Sequence, residues 1–215
     1  MNGNGNDDII IEIGDVQINS QEFNTLADGM CVGDMIMHFL LRCLQKKYKE
    51  RDNFFYPFMP CTVQFIQTYP VEMTKSSFTD LNLGSYQYIF FPLSDFTAEK
   101  MAASHWSLLY IDNTKGDMQF KHFDSMNHSN IKPANDFVNI IQQIFDLKNL
   151  TIEELICNKQ TNTYDCGIYV MAYIDALLRC QNHNDANQQL TPSLIDNYRR
   201  YLRNYILECS EIQKS

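Results

Sequence analysis

Three short β-prone segments follow one another in the middle of the chain, and they limit the possible folds more than any other feature. They span residues 86–92, 106–111 and 118–123, and turn residues bound each of them. Between the last two segments, Asn113-Thr-Lys-Gly116 has the composition of a hairpin turn. Segments 106–111 and 118–123 are therefore predicted to pair as antiparallel neighbours in one sheet.

Segments with helical periodicity lie on both sides of these strands. Residues 34–48 and 166–179 have apolar residues at helical spacing, and Pro133 opens an amphipathic helix. The apolar stripe of that helix consists of Phe137, Ile140, Ile141, Ile144 and Phe145. A last helix is predicted to begin after the cap residue Thr191, with Pro192 at its first position.

The remaining segments complete an α+β pattern. The stretch 53–60 is rich in aromatic residues and proline and is predicted to be a loop, whereas 62–68 fits a short helix or a strand. Further β-prone segments span 9–13, 16–18 and 151–157. Strands gathered in the middle of the chain, with helices before and after them, predict a sheet flanked by helices.

Length and charge limit the domain count and the class of partner. The chain has 215 residues and neither an internal repeat nor a linker, so we expect one domain over 9–215 after a disordered polar tail, 1–8. The net charge of −9 argues against nucleic acid, which needs a basic face, and suits a basic partner or substrate segment.

Cysteine usage and the apolar runs indicate a reducing compartment. Seven cysteines are scattered without a Cys-x-x-Cys pair, which argues against a disulfide framework. The polar N-terminal stretch lacks the pattern of a secretory signal, and the apolar run 88–93 is too short to cross a membrane. We expect a monomer in the cytoplasm or nucleus. No metal site or cofactor is predicted, since the histidines lack metal-ligand spacing.

Cys166 differs from the other cysteines in its context. The polar loop 158–165 precedes it, and a helix is predicted to begin at Cys166. The N-terminus of a helix carries partial positive charge and unpaired N–H groups, which stabilise a thiolate. Gly167, the next residue, allows a substrate backbone to approach closely. The alternative is that Cys166 is a small core residue, as free cysteines often are.

His105 and Asp124 flank the predicted hairpin and are expected at the same end of the sheet. There an aspartate can accept a hydrogen bond from one imidazole nitrogen and leave the other facing a thiol. Taken singly, His105 fits a structural histidine and Asp124 fits a turn cap. Gln160, which precedes Cys166 in the polar loop, has an amide that can hydrogen-bond the oxyanion of a tetrahedral intermediate.

Three segments containing these residues resemble the motifs of one protease family. They are Ser104-His-Trp-Ser-Leu-Leu109, His122-Phe-Asp-Ser125 and Gln160-Thr-Asn-Thr-Tyr-Asp-Cys-Gly-Ile-Tyr-Val170. Their order is similar to that of the Ulp, or sentrin-specific, cysteine proteases of ubiquitin-like modifiers. The resemblance implies a papain-like fold of the Ulp type, with a central mixed or antiparallel sheet. It also implies that Cys166 is the nucleophile, His105 the general base, Asp124 its orienting partner and Gln160 part of the oxyanion hole.

The resemblance further implies two substrate-binding residues. Trp106 would cover the narrow Gly-Gly tail of the modifier. Asp34 matches the aspartate of the family's Trp-Leu-Asn-Asp segment, which reads Cys31-Val-Gly-Asp34 here. The family's tryptophan in that segment is thus replaced by Cys31, which makes the grip on the tail and the choice of modifier open to test.

Segments 63–66, 105–109, 124–130 and 190–192 most resemble the deneddylase branch of the family. The implied reaction is cleavage after the C-terminal Gly-Gly of a Nedd-type modifier, in precursors, in conjugates or in both. The alternatives are a Sumo-specific protease, a deubiquitinase or an acetyltransferase on the same scaffold. A module that binds a modifier without cutting it, or a structural protein with a coincidental motif, represents a different class of function.

Overall fold

The structure is a computed structural model, and it describes residues 9–96, 103–148 and 150–214. The predicted disordered tail, 1–8, lies outside the described residues, and the single domain over 9–215 stays a prediction. Within the described part of the chain, no helix is both long enough and apolar enough to cross a membrane.

The described residues form seven strands in two sheets. Strands β1 (Ile9–Ile13) and β2 (Val16–Asn19) make an antiparallel hairpin. The larger sheet contains, in spatial order, β3 (Phe55–Pro57), β4 (Tyr88–Ser94), β5 (Trp106–Asp112), β6 (Gln119–Phe123) and β7 (Ile152–Glu154). Its central pairings, β4 with β5 and β5 with β6, are antiparallel, and the edge strands β3 and β7 pair parallel with their neighbours. The sheet is therefore mixed.

Helices cover both faces of the larger sheet. They are α1 (Ser20–Asn24), α2 (Asp34–Lys47), α3 (Pro60–Thr68), α4 (Val71–Ser76), α5 (Ile131–Ile144), α6 (Cys166–Cys180), α7 (His183–Gln189) and α8 (Pro192–Lys214). A single 3₁₀ turn, Leu83–Ser85, precedes β4. Helix α6 is buried along most of its length, which places its first residue deep in the molecule.

Side-chain alternation along the strands divides the core between the two faces. On β4, Tyr88 and Phe90 belong to one apolar cluster and Ile89 and Phe91 to the other, and all four are buried. The Tyr88 face packs against α2, α6 and α8, and the Ile89 face packs against α3 and α5. A strand buried on both faces needs a continuous apolar run, which explains why β4 lacks the alternation of a half-exposed strand.

The predicted α+β class and the central hairpin are confirmed. Strands β5 and β6 pair antiparallel, with Asp112 opposite Gln119. The turn between them contains Gly116, whose φ of +76° favours glycine. The segment 62–68, which fitted either a helix or a strand, belongs to helix α3.

The loop predicted for 53–60 is wrong in part, because β3 lies within it. Phe55 pairs with Tyr88 and Pro57 with Phe90. Proline cannot donate to a strand ladder, but an edge strand tolerates it. The candidate strand 151–157 shrinks to the three residues of β7. Helices α1, α4 and α7, of five to seven residues, were not predicted because they are too short to show an apolar period.

Candidate active site

The β5–β6 hairpin places His105 beside Asp124. His105 immediately precedes β5 and Asp124 immediately follows β6, and Leu108 lies opposite Phe123 between them. His105 Nε2 lies 2.8 Å from Asp124 Oδ1, and the exposed fractions of the two side chains are 5% and 1%. Both therefore emerge at the same end of the sheet, away from water.

Backbone donors hold the Asp124 carboxylate in addition to His105. Met126 N donates to Oδ1 and Asn130 N donates to Oδ2, each over 2.8 Å. Burial raises the pKa of this carboxyl, but the hydrogen bonds from His105, Asn130 and Met126 outweigh burial and hold the pKa well below its usual range. Asp124 is therefore ionised at neutral pH and can fix the orientation of the imidazole.

The His105 ring lies within reach of both Asp124 and Cys166. Burial alone would lower the pKa of His105, but hydrogen bonds to Asp124 and Cys166, together with the charges of these groups, raise it to about 9. His105 Nε2 is hydrogen-bonded to Asp124, whereas the buried Nδ1 makes no direct hydrogen bond among the described residues and is the ring nitrogen left for the Cys166 thiol. We infer that Nδ1 faces the thiol. A ring that stays protonated at neutral pH favours a thiolate beside it.

Cys166 is the first residue of α6 and is only 3% exposed. The adjacent Gly167 is closely covered. A Cβ atom added to Gly167 would overlap Val32 Cγ1 and would lie 3.6 Å from Trp106 Cδ1. The sulfur is therefore buried but beside the imidazole, and Val32 and Trp106 pack closely against the backbone of the residue that follows it.

Ser125, the residue after Asp124, fixes the side chain of Gln160. Ser125 Oγ donates to Gln160 Oε1 over 2.7 Å, and Gln160 N donates to Ser125 O over 3.1 Å. Gln160 Nε2 donates to Asn162 O over 2.7 Å. An amide nitrogen has two hydrogens, so Nε2 can donate a second one to an oxyanion.

The two predicted substrate-binding residues differ in their placement. Trp106 is half-buried and lies near Gly167. Asp34 is exposed at the first residue of α2. Burial of Glu22, together with the nearby charge of Asp34, raises the pKa of Glu22. Cys31, which replaces the family's tryptophan, is also exposed. The segment 31–34 therefore covers Gly167 with the buried Val32 and not with an aromatic ring.

Sequence reasoning missed Asp95, which fixes the backbone of His105 across the sheet. Asp95 Oδ1 accepts from His105 N over 2.9 Å, and Asp95 N donates to His105 O over 3.1 Å. Asp95 follows β4, whose last residue Ser94 pairs with Trp106. An aspartate after a strand is an ordinary turn residue, so only the strand pairing reveals its partner.

The arrangement supplies a nucleophile, a base and an orienting carboxylate, which together can perform acyl transfer through a covalent intermediate. The described residues contain no group of three His, Cys, Asp or Glu side chains able to hold a metal ion. Cys166, His105 and Asp124 form the candidate site, and Gln160 is hydrogen-bonded to Ser125, the residue after Asp124.

Comparison with known proteins places the chain among proteases. The Ulp1 protease family, C-terminal catalytic domain, matches residues 26–212. The protein named "Probable sentrin-specific protease 8" of Dictyostelium discoideum is 26% identical over 204 residues, covering 85% of this chain and 82% of that protein. NEDD8-specific protease 1 of Schizosaccharomyces pombe is 31% identical over 100 residues, covering 46% of this chain and 23% of that protein.

Among solved structures, the C-terminal Ulp1 protease domain in complex with Smt3, the yeast orthologue of SUMO, has a similar fold. The TM-score is 0.68 at 18% sequence identity, and the superposition covers 94% of this chain and 88% of the other. This likeness confirms the Ulp-type fold that the sequence motifs implied. The family match spans nearly the whole chain and includes every residue of the candidate active site. The chain therefore belongs to the Ulp1 protease family, and it is a cysteine protease.

Proposed function

We propose that this protease cleaves the bond after the C-terminal Gly-Gly of a ubiquitin-like modifier, and that the modifier is of the Nedd type. The products are mature modifier from a precursor, and free modifier from a lysine side chain to which it was attached. One observation carries the proposal: Cys166 lies beside His105 and next to Gly167, which Val32 and Trp106 cover.

In the proposed complex, the modifier tail reaches Cys166 past Val32 and Trp106, the two residues that cover Gly167. Val32 is buried and lies so close that even a methyl group on Gly167 would collide with it. Trp106 closes the space from β5. The proposed tail passes these two residues, and a Gly-Gly backbone needs only the width of a main chain there. Selectivity for the tail is thus largely steric.

The first half of the proposed reaction forms a thioester. The Cys166 thiolate attacks the carbonyl carbon of the last glycine, and the carbonyl oxygen becomes an oxyanion that Gln160 Nε2 can stabilise. The C–N bond then breaks, and the His105 imidazolium gives its proton to the departing amine. The acyl group remains on sulfur and the imidazole is neutral.

The second half returns the enzyme to its starting state. Neutral His105 takes a proton from water, and the resulting hydroxide attacks the thioester carbonyl. The C–S bond breaks, which releases the modifier with a C-terminal carboxylic acid that then gives its proton to the solvent. Cys166 leaves as a thiolate and His105 is again protonated, held by the Asp124 carboxylate 2.8 Å away.

Two arguments support a Nedd-type modifier over the alternatives. The curated relatives include proteins that are themselves named probable sentrin-specific protease 8 and NEDD8-specific protease 1. Modifier tails of this class usually carry an arginine before the glycines, and the net charge of −9 favours approach of a basic tail. A Sumo-type modifier is the second candidate, because the solved neighbour with a similar fold holds Smt3.

Active-site probes test the function directly. We expect a Nedd-type modifier that carries a C-terminal electrophile to attach covalently to the protein before the matching Sumo and ubiquitin probes do. Capture should vanish in Cys166→Ala. Faster capture of the Sumo probe would reject the Nedd assignment and keep the protease assignment, whereas binding of all probes without capture or cleavage would indicate a non-catalytic module.

Replacing Gln160 with alanine is expected to lower kcat by about 10²–10³-fold, because loss of one oxyanion donor has an effect of this size. Gln160→Glu should be similarly slow, since glutamate can accept from Ser125 Oγ but has no N–H to donate. Progress curves with a reporter fused after Gly-Gly measure the change. Gln64→Ala, at an exposed position of α3, serves as the control. A wild-type kcat in Gln160→Ala would show that Gln160 is not part of the oxyanion hole.

We also propose that the protease acts as a monomer in a reducing compartment, the cytoplasm or the nucleus. All seven cysteines are free thiols, and Cys166 must stay reduced to react. Neither nucleic acid nor a membrane is proposed as a partner.

A further inference from the structure

We propose that Arg199 is a positioning residue, which holds the loop 160–165 so that the Gln160 amide is fixed beside Cys166. The inference rests on the proposed function, because it gives Gln160 the role of an oxyanion donor. Arg199 lies on α8, far along the chain from the residues that carry the chemistry. It acts on them through a continuous series of hydrogen bonds.

The series begins with a buried ion pair between Arg199 and Asp165, the residue just before the nucleophile. Arg199 Nη2 lies 2.5 Å and Nε lies 3.2 Å from Asp165 Oδ1, and the side chains are 5% and 10% exposed. Asp165 is the cap residue of α6, yet its side chain makes no capping hydrogen bond. Its carboxylate is therefore committed to Arg199 and to the loop.

The second oxygen of Asp165 carries the series to Gln160. Asn162 Nδ2 donates to Asp165 Oδ2 over 2.7 Å. Asn162 Oδ1 in turn accepts from Tyr164 N over 3.1 Å and from Asp165 N over 3.0 Å, which fixes the turn. The carbonyl oxygen of Asn162 accepts from Gln160 Nε2 over 2.7 Å. The turn that Arg199 holds thus provides the acceptor that orients the Gln160 amide.

Arg199 is itself anchored on the side away from Asp165. Its Nη1 donates to Thr25 O over 2.9 Å and to Ala27 O over 3.2 Å, and Nη2 also donates to Tyr164 O over 3.5 Å. The carbonyls of Thr25 and Ala27 follow α1 and precede the cover residue Val32. The planar fork of a guanidinium can serve a carboxylate and two carbonyls at once, whereas a lysine ammonium on its flexible stem holds them less rigidly.

Stability alone is a weak reason for such a pair. Buried ion pairs seldom stabilise a fold more than apolar residues of the same volume would. Here the carboxylate that Arg199 neutralises lies directly before the nucleophile, and every hydrogen bond of the series leads toward Gln160. The geometry therefore points to a role for the Arg199–Asp165 pair in orienting the Gln160 amide.

The first experiment compares Arg199→Lys with Arg200→Lys, its exposed neighbour on the same helix. We expect kcat for a Gly-Gly reporter to fall about 10–100-fold in Arg199→Lys, the scale of a misplaced catalytic group, and to be unchanged in Arg200→Lys. Alkylation of Cys166 by iodoacetamide, which needs no oxyanion donor, should keep its wild-type rate. Equal kcat in the two variants, or alkylation that falls in step with kcat, would overturn the proposal.

The second experiment is a double-mutant cycle with Gln160→Ala. If Arg199 acts through Gln160, Arg199→Lys should lower kcat by less than about twofold once Gln160 is alanine. A full additional loss would reject the connection. Asn162→Ala, which leaves the Arg199–Asp165 pair in place, repeats the cycle should Arg199→Lys not fold. A wild-type enzyme that cleaves no Gly-Gly reporter would contradict the proposed function instead, so the two failures are distinct.

Discussion

Replacing Cys166 with alanine is expected to reduce cleavage of a Gly-Gly reporter by about 10⁶-fold, to the background rate. The reason is chemical: the acyl group must reside on a sulfur, and Cys166 is the cysteine whose charge and hydrogen bonding raise the pKa of His105. Burial of Cys166 at 3% exposure means that the substitution removes one atom from a packed site and adds no charge. Turnover of the fused reporter at enzyme excess measures the loss.

Helix α6 itself provides the matched control. Cys180 is its last residue and Cys166 its first, so Cys180→Ala removes a thiol from the same helix at the opposite end. Cys180→Ala should keep wild-type turnover. Cys166→Ala should still bind the modifier, because Val32, Trp106 and Gly167 are unchanged. Measurable turnover by Cys166→Ala would end the assignment of the nucleophile.

Replacing Asp124 with asparagine is expected to lower kcat/KM by about 10²–10⁴-fold, because the imidazole loses the carboxylate that orients it and stabilises its protonated form. The pH dependence should change as well. The wild-type rate should fall on the alkaline side near pH 9, where His105 loses its proton. Without the Asp124 carboxylate the pKa of His105 drops, so this alkaline limb should move to lower pH. Stopped-time assays across the pH range give both values.

The same pair predicts the pH dependence of stability. The carboxyl of Asp124 has a depressed pKa in the folded protein, so its contribution is present above about pH 3.9 and disappears as pH falls below that. The raised pKa of His105 gives a contribution that is complete below about pH 6.5 and disappears as pH rises through about 9. The free energy of unfolding of wild type should therefore exceed that of Asp124→Asn most at about pH 5.5, and less at about pH 9.5.

A control for this substitution lies at the other end of the same hairpin. Asp117 is exposed in the β5–β6 turn region, and Asp117→Asn removes the same charge from a site far from the imidazole. It should leave the rate and the alkaline limb unchanged. If Asp124→Asn kept the wild-type alkaline limb, Asp124 would not be the group that raises the pKa of His105.

Local signals made part of the site predictable from sequence. His105 and Asp124 meet because a turn at 113–116 folds two adjacent strands together, and both the turn and the strands leave a pattern in the sequence. The start of α6 at Cys166 was predictable for a similar reason, since a polar loop gives way there to a helical apolar period.

The rest depends on contacts between distant parts of the chain, which leave no local pattern. The aromatic stretch around Phe55 is a strand only because β4 lies next to it. The cover of Val32 over Gly167 joins the beginning of α2 to the beginning of α6. Arg199 looks like any charged residue of an amphipathic helix, and only its burial against Asp165 distinguishes it. Such features require the packed structure.

The hairpin also has a consequence for the newly made chain. The imidazole and the carboxylate can meet as soon as two neighbouring strands pair, but the sulfur arrives only when α6 docks on them and the segment before α2 closes over it. A partly folded molecule therefore lacks the pair of thiol and imidazole that cleavage needs. Until folding is complete, the molecule cannot cleave glycine-rich segments of other proteins or of its own chain.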